Sequence, residues 1–308
     1  MTNGKARMKG RYWAENYQLY LMLLPVAIYM ILFNYIPMGG LVIAFKNYKP
    51  FKGIFGSDWV GLKQFIRLFS MGKFHTVVKN TLTLSLYSLL AGFPLPILLA
   101  LLLNSCGNQR LKKTVQTVTY APHFISMVVI VAMINVFFSP SYGLLGNLLR
   151  TVGALSGSYM VLTSPAAFPH LYVWSGVWQS IGWNSIIYLS ALTGVDPALH
   201  ESAVIDGANK LQRIIYIDFP SILPTVVVLL IMNSGSIMNV GFEKVFLLQN
   251  SLNVSTSETI STYVYKIGIQ DGQYSFSTAV GLFNSVINFV MLAIVNTVSR
   301  LVNENSLW

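Results

Sequence analysis

The candidate binding groups of this chain are amides and aromatic rings that lie inside long apolar segments. Asn233 and Asn239 lie on either side of Ser236 at three-residue steps, and Asn284 and Asn288 share one helical face. Amides hydrogen-bond hydroxyl groups without carrying a charge, and aromatic rings pack against the apolar faces of sugars. We therefore predict a pathway for a hydroxyl-rich solute, formed by Tyr172, Trp174, Trp178, Asn184, Asn233, Asn239, Asn284 and Asn288.

The same residue types also have a purely structural explanation. Asn and Ser side chains join neighbouring helices in membrane proteins, and Trp anchors helix ends at the membrane interface. The sequence leaves both interpretations open at each of these positions.

Motifs for several kinds of catalysis are missing from the sequence. It contains no G-x-x-x-x-G-K-[ST] loop, no H-E-x-x-H and no G-x-S-x-G. Cys106 is the one cysteine, so no intrachain disulfide and no cysteine–histidine metal cluster can form. We predict that the chain is not an enzyme, with no catalytic residue, no metal site and no cofactor of its own.

The composition is typical of an integral membrane protein. Only 10% of the residues are charged, against about 25% in soluble domains, and the mean hydropathy is +0.59. Six segments reach the roughly 20 apolar residues that a bilayer crossing needs. We predict an all-α membrane protein whose six transmembrane helices are residues 18–37, 81–103, 118–138, 171–192, 222–240 and 278–298.

Charged residues are absent from all six segments. A voltage sensor is therefore excluded, and an ion-coupled transporter would have no charged group for its coupling ion at membrane depth. The 20 Lys and Arg residues divide equally between the two sides, but seven lie in one long loop, 38–80. Outside that loop the ratio is ten to three, which predicts that both termini are cytoplasmic. The net charge of +10 thus has a membrane explanation, and we predict no nucleic-acid partner.

A charged segment on the cytoplasmic side separates the fourth and fifth predicted spans. Asp196 suits a helix N-cap, Pro197 a first helical turn, and Gly207 a break between two helices. Residues 196–220 are therefore predicted to form a helix–turn–helix elbow that projects from the bilayer. Such a projection indicates that a partner docks on it.

The elbow resembles the signature of the permease subunits of binding-protein-dependent ABC importers. That signature is Glu-Ala-Ala, three residues, Gly, nine residues, and Ile-x-Leu-Pro. The chain has Glu201-Ser202-Ala203, then Gly207, then Ile217-Asp218-Phe219-Pro220, and departs from the pattern only at Ser202 and Phe219. The extended stretch 203–208 resembles the carbohydrate-uptake branch of the family.

Further stretches strengthen this resemblance. Asn80-Thr81-Leu82 is similar to the start of the family's transmembrane core. Residues 35–38, 43–46 and 59–62 resemble permeases for poly- and oligosaccharides of the alginate and rhamnogalacturonan type. The resemblance implies an N-terminal region over 1–75 (cytoplasmic tail, first span and extracytoplasmic loop), a transmembrane core over 76–300 and a cytoplasmic tail over 301–308.

The resemblance also implies how such a permease works. The elbow would be a coupling helix that docks on a separate ATPase, with ATP and Mg bound to that partner. The assembly would contain two ATP-binding subunits, a second and different permease, and an extracytoplasmic solute-binding protein, in the lipid of the bacterial cytoplasmic membrane. The residues that the resemblance assigns to ATPase coupling are Glu201, Ser202, Ala203, Asp206, Gly207, Ala208, Ile217 and Pro220.

Two other functions remain open at this point. One is an ion-coupled secondary sugar transporter, for which the spans offer no charged ion site. The other is a non-transport membrane scaffold or receptor, which would explain the elbow but not the amides inside the spans.

Overall fold

An exposed apolar helix begins the described part of the chain, which in this computed structural model comprises residues 16–139, 141–151 and 160–303. Helix α1 (Tyr17–Met30) continues through a π-helical turn (Ile31–Tyr35), α2 (Ile36–Met38) and a 3-10 segment (Gly39–Phe45). None of the residues from α1 to α2 is buried. A helix with apolar sides all round is stable in lipid, because its backbone groups bond to one another.

The polar loop that follows has a defined structure of its own. Strands β1 (Lys46–Asn47) and β2 (Asp58–Trp59) pair antiparallel, with a 3-10 turn (Pro50–Lys52) and α3 (Gly53–Gly56) between them. Helix α4 (Lys63–Ser70) follows the second strand. The Tyr48 backbone N–H donates to Ser275 Oγ (2.8 Å), which holds the loop against the last helix.

The middle of the chain contains one long helix and one sharply bent pair. Helices α5 (Gly72–Gly92) and α6 (Pro94–Ser105) form one apolar stretch of 34 residues. Helix α7 (Gln109–Tyr120) and a 3-10 turn (Ala121–Phe124) meet α8 (Met127–Phe137) at a bend of 102°. Ser126 starts the new helix, since its Oγ accepts from the Val129 N–H (3.4 Å). The predicted third span is therefore not a straight helix.

Helix α10 (Phe168–Leu192) packs against α5, α6 and α7. Gly182 permits the close crossing with α7, because a Cβ at this position would collide with the Thr119 carbonyl group. The remaining helices are α9 (Leu144–Thr151), α11 (Pro197–Ile205), α12 (Lys210–Arg213), a π-helical turn (Ile214–Asp218), α13 (Phe219–Ser234), α14 (Phe242–Leu248), α15 (Val254–Ser257), α16 (Ile260–Tyr265), a second π-helical turn (Lys266–Gln270) and α17 (Tyr274–Asn303).

Four helical stretches of the described chain are long and apolar enough to cross a membrane, and the bent pair would make a fifth. Helix α10, the predicted fourth span, is less apolar because Trp, Gln, Ser and Asn residues lie along it. The chain is thus a helical, multi-pass membrane protein with four or five apolar spans, where the sequence predicted six. The four long apolar stretches are Tyr17–Phe45, Gly72–Ser105, Lys210–Ser234 and Tyr274–Leu301.

Two neighbouring polar side chains of α5 join this helix to the segment before α17. The Asn80 amide donates to the carbonyl oxygens of Ser255 (2.9 Å) and Glu258 (3.1 Å). The Thr81 hydroxyl accepts from the Ile260 N–H (2.9 Å) and is fully buried. These bonds satisfy backbone groups that have no water available. The Asn-Thr-Leu stretch therefore has a structural role.

We expect Thr81→Val to lower the thermal stability of the purified protein. Valine has the same shape but leaves the buried Ile260 N–H without an acceptor, at a cost of about 1–3 kcal/mol. The melting midpoint in detergent, followed by tryptophan fluorescence, measures this. Thr297→Val is the matched control, because that exposed hydroxyl bonds only to the Ala293 carbonyl of its own helix. Equal midpoints for the two variants would contradict the role given to Thr81.

Candidate functional site

A cavity of about 780 Å³ lies among α5, α6, α10, α13 and the segment that leads into α14. Four of the predicted pathway residues line it: Tyr172, Asn184, Asn233 and Asn239. Trp183 lines it too, with its ring stacked on that of His123 at a centroid distance of 4.3 Å. Amides from two long helices thus converge on one space. We call this space the polar cavity.

Two more of the predicted residues, Asn284 and Asn288, do not line the polar cavity but bond to Asn239, which does. The amides of Asn284 and Asn288 both donate to Asn239 Oδ1, at 2.9 and 3.1 Å. Asn288 Oδ1 in turn accepts from the Met238 N–H (2.9 Å). Because its oxygen is taken, Asn239 has its amide N–H groups left to offer a solute. Asn284 and Asn288 orient Asn239 and join α17 to the segment that follows α13.

Trp174 and Trp178 do not line the polar cavity. They line a second cavity of about 780 Å³, which is mostly apolar and lies between α8 and α10. Trp174 Nε1 donates to Tyr87 Oη (2.8 Å), and this hydroxyl also bonds to His170 Nδ1 (2.9 Å). The structure therefore separates the two Trp residues from the amides with which the sequence grouped them. Their assignment to the pathway stays a prediction.

Lys244 is a polar-cavity residue that the sequence argument did not identify. It lies in α14, outside the apolar spans, and is only 4% exposed. Its Nζ donates to the Tyr172 carbonyl oxygen (2.6 Å) and stands 4.8 Å from the centroid of the Tyr172 ring. Burial lowers the pKa of Lys244 to about 7. Nothing in the spacing of the sequence distinguishes this lysine from the other loop lysines.

The predicted elbow region contains two short helices separated by a turn. Asp196 caps α11, since its Oδ1 accepts from the Ala198 N–H (2.9 Å). Gly207 forms the turn with φ +79°, a left-handed value that favours glycine. Asn209 and Gln212 form a reciprocal capping box at the start of α12. From Lys210 the chain is then helical without a break to Ser234.

The predicted coupling residues are distributed along this region with different exposures. Glu201, Ser202, Asp206, Gly207 and Pro220 are exposed, while Ala203, Ala208 and Ile217 are half-buried. Large apolar side chains lie exposed among them, and Ile205 is 85% exposed. Exposed apolar groups next to charges are typical of surfaces that bind another protein. The other such side chains are Leu199, Val204, Leu211, Ile215, Tyr216 and Phe219.

A buried carboxylate ties the elbow to the long helices. Asp218 is 2% exposed, and its Oδ1 accepts from the Asn104 amide (3.1 Å) at the end of α6. His200 Nε2 on α11 lies 3.3 Å from the same oxygen. Asp218 occupies the unspecified position of the Ile-x-Leu-Pro pattern, and Asn104 is far away in sequence. Sequence reasoning therefore missed this three-residue contact.

Comparison with known proteins assigns the chain to a family. The family described as the binding-protein-dependent transport system inner membrane component matches residues 92–304, more than half of the chain. The chain belongs to this family. The predicted resemblance to these permeases is thereby confirmed.

Sugar permeases are among the relatives of this inner membrane component. The polygalacturonan/rhamnogalacturonan transport system permease protein YteP of Bacillus subtilis is 43% identical over 290 residues, covering 94% of this chain and 90% of YteP. Protein LplB of the same organism is 40% identical over 291 residues, covering 94% and 91%. Since the family and YteP are transport components, the prediction of a transport subunit rather than an enzyme is confirmed.

A solved relative has the same fold. A chain of a bacterial alginate ABC transporter, crystallised in complex with an alginate pentasaccharide-bound periplasmic protein, is 41% identical with a TM-score of 0.88. The match covers 96% of this chain and 99% of that chain. The inner membrane component described here therefore has the fold of an ABC importer permease.

We expect Asp218→Ala to loosen α11 without unfolding the long helices. Loss of a buried acceptor costs about 1–3 kcal/mol, so amides of 197–205 should exchange with deuterium about tenfold faster. Hydrogen–deuterium exchange with mass spectrometry measures this in the purified protein. Asp271→Ala, which removes an exposed carboxylate elsewhere, is the control. Unchanged exchange in α11 would show that the contact does not anchor it.

Proposed function

We propose that this chain is the permease subunit of an ATP-driven importer for an oligosaccharide or related sugar. The observation that carries the proposal is the polar cavity, in which Asn184, Asn233 and Asn239 converge between apolar helices of a transport-family protein. Amides and hydroxyls can replace the water around a sugar, one hydrogen bond at a time. The names of YteP and of the alginate transporter support a sugar as the solute.

The chain is proposed to receive the energy of ATP through residues 196–220. Glu201, Ser202, Ala203, Asp206, Gly207 and Ala208 would form the surface that meets a separate ATPase, and Ile217 and Pro220 would connect this surface to α13. ATP and Mg would bind to that partner and not to this chain. An ATPase can drive the permease only if it contacts two permease states differently. The Asn104–Asp218–His200 contact supports the proposal, because it links the elbow to α6 and α13.

The proposed assembly contains a second permease, two ATP-binding subunits and an extracytoplasmic solute-binding protein. The apolar sides of α1 are exposed and suit either lipid or a second permease. The solved relative supports a binding protein, since it was crystallised with one carrying an alginate pentasaccharide. The identity of the second permease as a different chain is part of the proposal.

We further propose six crossings of the bacterial cytoplasmic membrane, with both termini in the cytoplasm. The six proposed crossings are the four apolar stretches, the bent pair and α10. Two contacts support this topology: Asn104 at the end of α6 meets the elbow, and the loop with Tyr48 meets the start of α17. The proposed regions are 1–75, a transmembrane core over 76–300, and a tail over 301–308.

The coupling proposal predicts that Glu201→Arg releases the ATPase. The chain is tagged, expressed with its genomic neighbours, and purified in mild detergent, and the co-purified proteins are identified. We expect an ATPase and a second permease with the wild type, and at least about tenfold less ATPase with Glu201→Arg, because a reversed charge opposes docking. Asp271→Arg, an equal charge reversal away from the elbow, should retain the ATPase. Equal retention in all three samples would remove the elbow from the coupling surface.

The pathway proposal predicts that Asn184→Leu and Asn233→Leu impair sugar uptake while the complex still assembles. Each change removes a hydrogen-bonding group worth about 1–3 kcal/mol, so uptake should fall about tenfold or more. Uptake is measured in proteoliposomes with the binding protein and ATP. Asn34→Leu on the exposed first helix is the matched control. Uptake that depends on an ion gradient and not on ATP would favour a secondary transporter instead.

A further inference from the structure

The positive charge in the wall of the polar cavity comes from one residue. Of the described residues that line this cavity, Lys244 is the only lysine or arginine. Its Nζ lies close to α10, and a Cβ placed on Gly176 would be 3.1 Å from it. The absence of a side chain at Gly176 thus leaves the space in which the ammonium group lies.

Lys244 has no counter-ion among the described residues. The ion pairs in the described chain involve Glu258 and Asp218, and neither includes Lys244. Lys266 provides the contrast, since its Nζ lies 3.1 Å from Glu258 Oε1. An ammonium group has three N–H donors, and the one hydrogen bond of Lys244 in this part of the chain goes to the Tyr172 carbonyl. The ammonium group also lies over the Tyr172 ring, so at least one donor remains for a ligand.

Glu243 is the nearest carboxylate in sequence and also lines the cavity. It does not pair with Lys244, because adjacent residues on a helix point about 100° apart. Glu243 is exposed while Lys244 is buried, so water screens the carboxylate far more than the ammonium group. The poorly screened charge in the cavity wall is therefore the positive charge of Lys244.

We propose that Lys244 is a specificity-determining residue that binds a carboxylate group of an acidic sugar in the polar cavity. The inference rests on the proposed function, since it takes this cavity as the path of the solute. A buried charge without a partner is destabilising, and an anionic ligand offsets that cost where a hydroxyl does not. Burial lowers the pKa of Lys244 to about 7, so near neutral pH the group is only partly protonated before a ligand binds, and a bound carboxylate would raise that pKa and hold the proton. Tyr172 holds the ammonium group in place from behind.

Binding of a matched pair of sugars to the assembled, detergent-purified transporter tests this inference. The probes are an oligogalacturonate trisaccharide and its carboxyl-reduced, neutral form, measured without the binding protein so that only the membrane subunits select. We expect the wild type to bind the acidic sugar at least about tenfold more tightly. Equal affinities, or tighter binding of the neutral sugar, would overturn the inference without any variant.

Substitutions at single lysines test whether Lys244 is the source of the preference for the acidic sugar. In Lys244→Met the affinity for the acidic sugar should fall about tenfold or more, and that for the neutral sugar should stay unchanged, which also shows that the variant is folded. Lys244→Arg should keep most of the preference. Lys79→Met, which removes an exposed lysine of α5, should behave as the wild type. A preference that persists in Lys244→Met would assign it to another residue.

The proposed function is tested separately in the same preparation. ATP-dependent uptake of any oligosaccharide into proteoliposomes supports the importer whatever the sugar preference is. Uptake of both sugars with no effect at Lys244 would leave the importer intact and remove this inference. Failure to take up any sugar would instead contradict the proposed function.

Discussion

A polar group inside a bilayer has no water to bond with, and this constraint governs the placement of the amide side chains in the long apolar helices of this protein. Each must bond to another part of the chain or border a space that water or a solute can fill. Asn288 satisfies the first condition by bonding to Asn239 and to the Met238 backbone. Asn184 and Asn233 satisfy the second by lining the polar cavity. The division between structural and cavity-lining polar residues follows from this one requirement.

The same requirement explains why α10 is not among the helical stretches that are apolar enough to cross a membrane. It packs against α5, α6 and α7 and also borders the polar cavity. A helix in that position tolerates Gln179, Trp183 and Asn184, and these residues lower its hydropathy. A hydropathy scale scores how well a segment suits lipid. Helix α10 contributes many of the cavity residues, and their polar groups give the helix a low score.

The end of the fold that carries residues 196–220 is organised around another buried polar group. Asp218 brings together α6, α11 and the π-helical turn before α13, because a buried carboxylate needs donors around it. The turn continues directly into α13, so α12 and α13 belong to one continuous helical stretch from Lys210 to Ser234. Helix α11, which carries Glu201, is joined to that stretch by the contact between His200 and Asp218.

The sequence by itself determined the class of protein, the family and the location of the four long apolar stretches, because composition, hydropathy and the Glu201–Pro220 spacing are local properties. It also determined the caps of the elbow, since Asp196 and Gly207 act within a few residues. Only the tertiary structure decided which polar residues share a space. It separated Trp174 and Trp178 from Asn184, and it brought Lys244 to Tyr172 and Asn104 to Asp218. These are contacts between residues far apart in the chain, and they depend on how the helices pack, which periodicity within one helix does not specify.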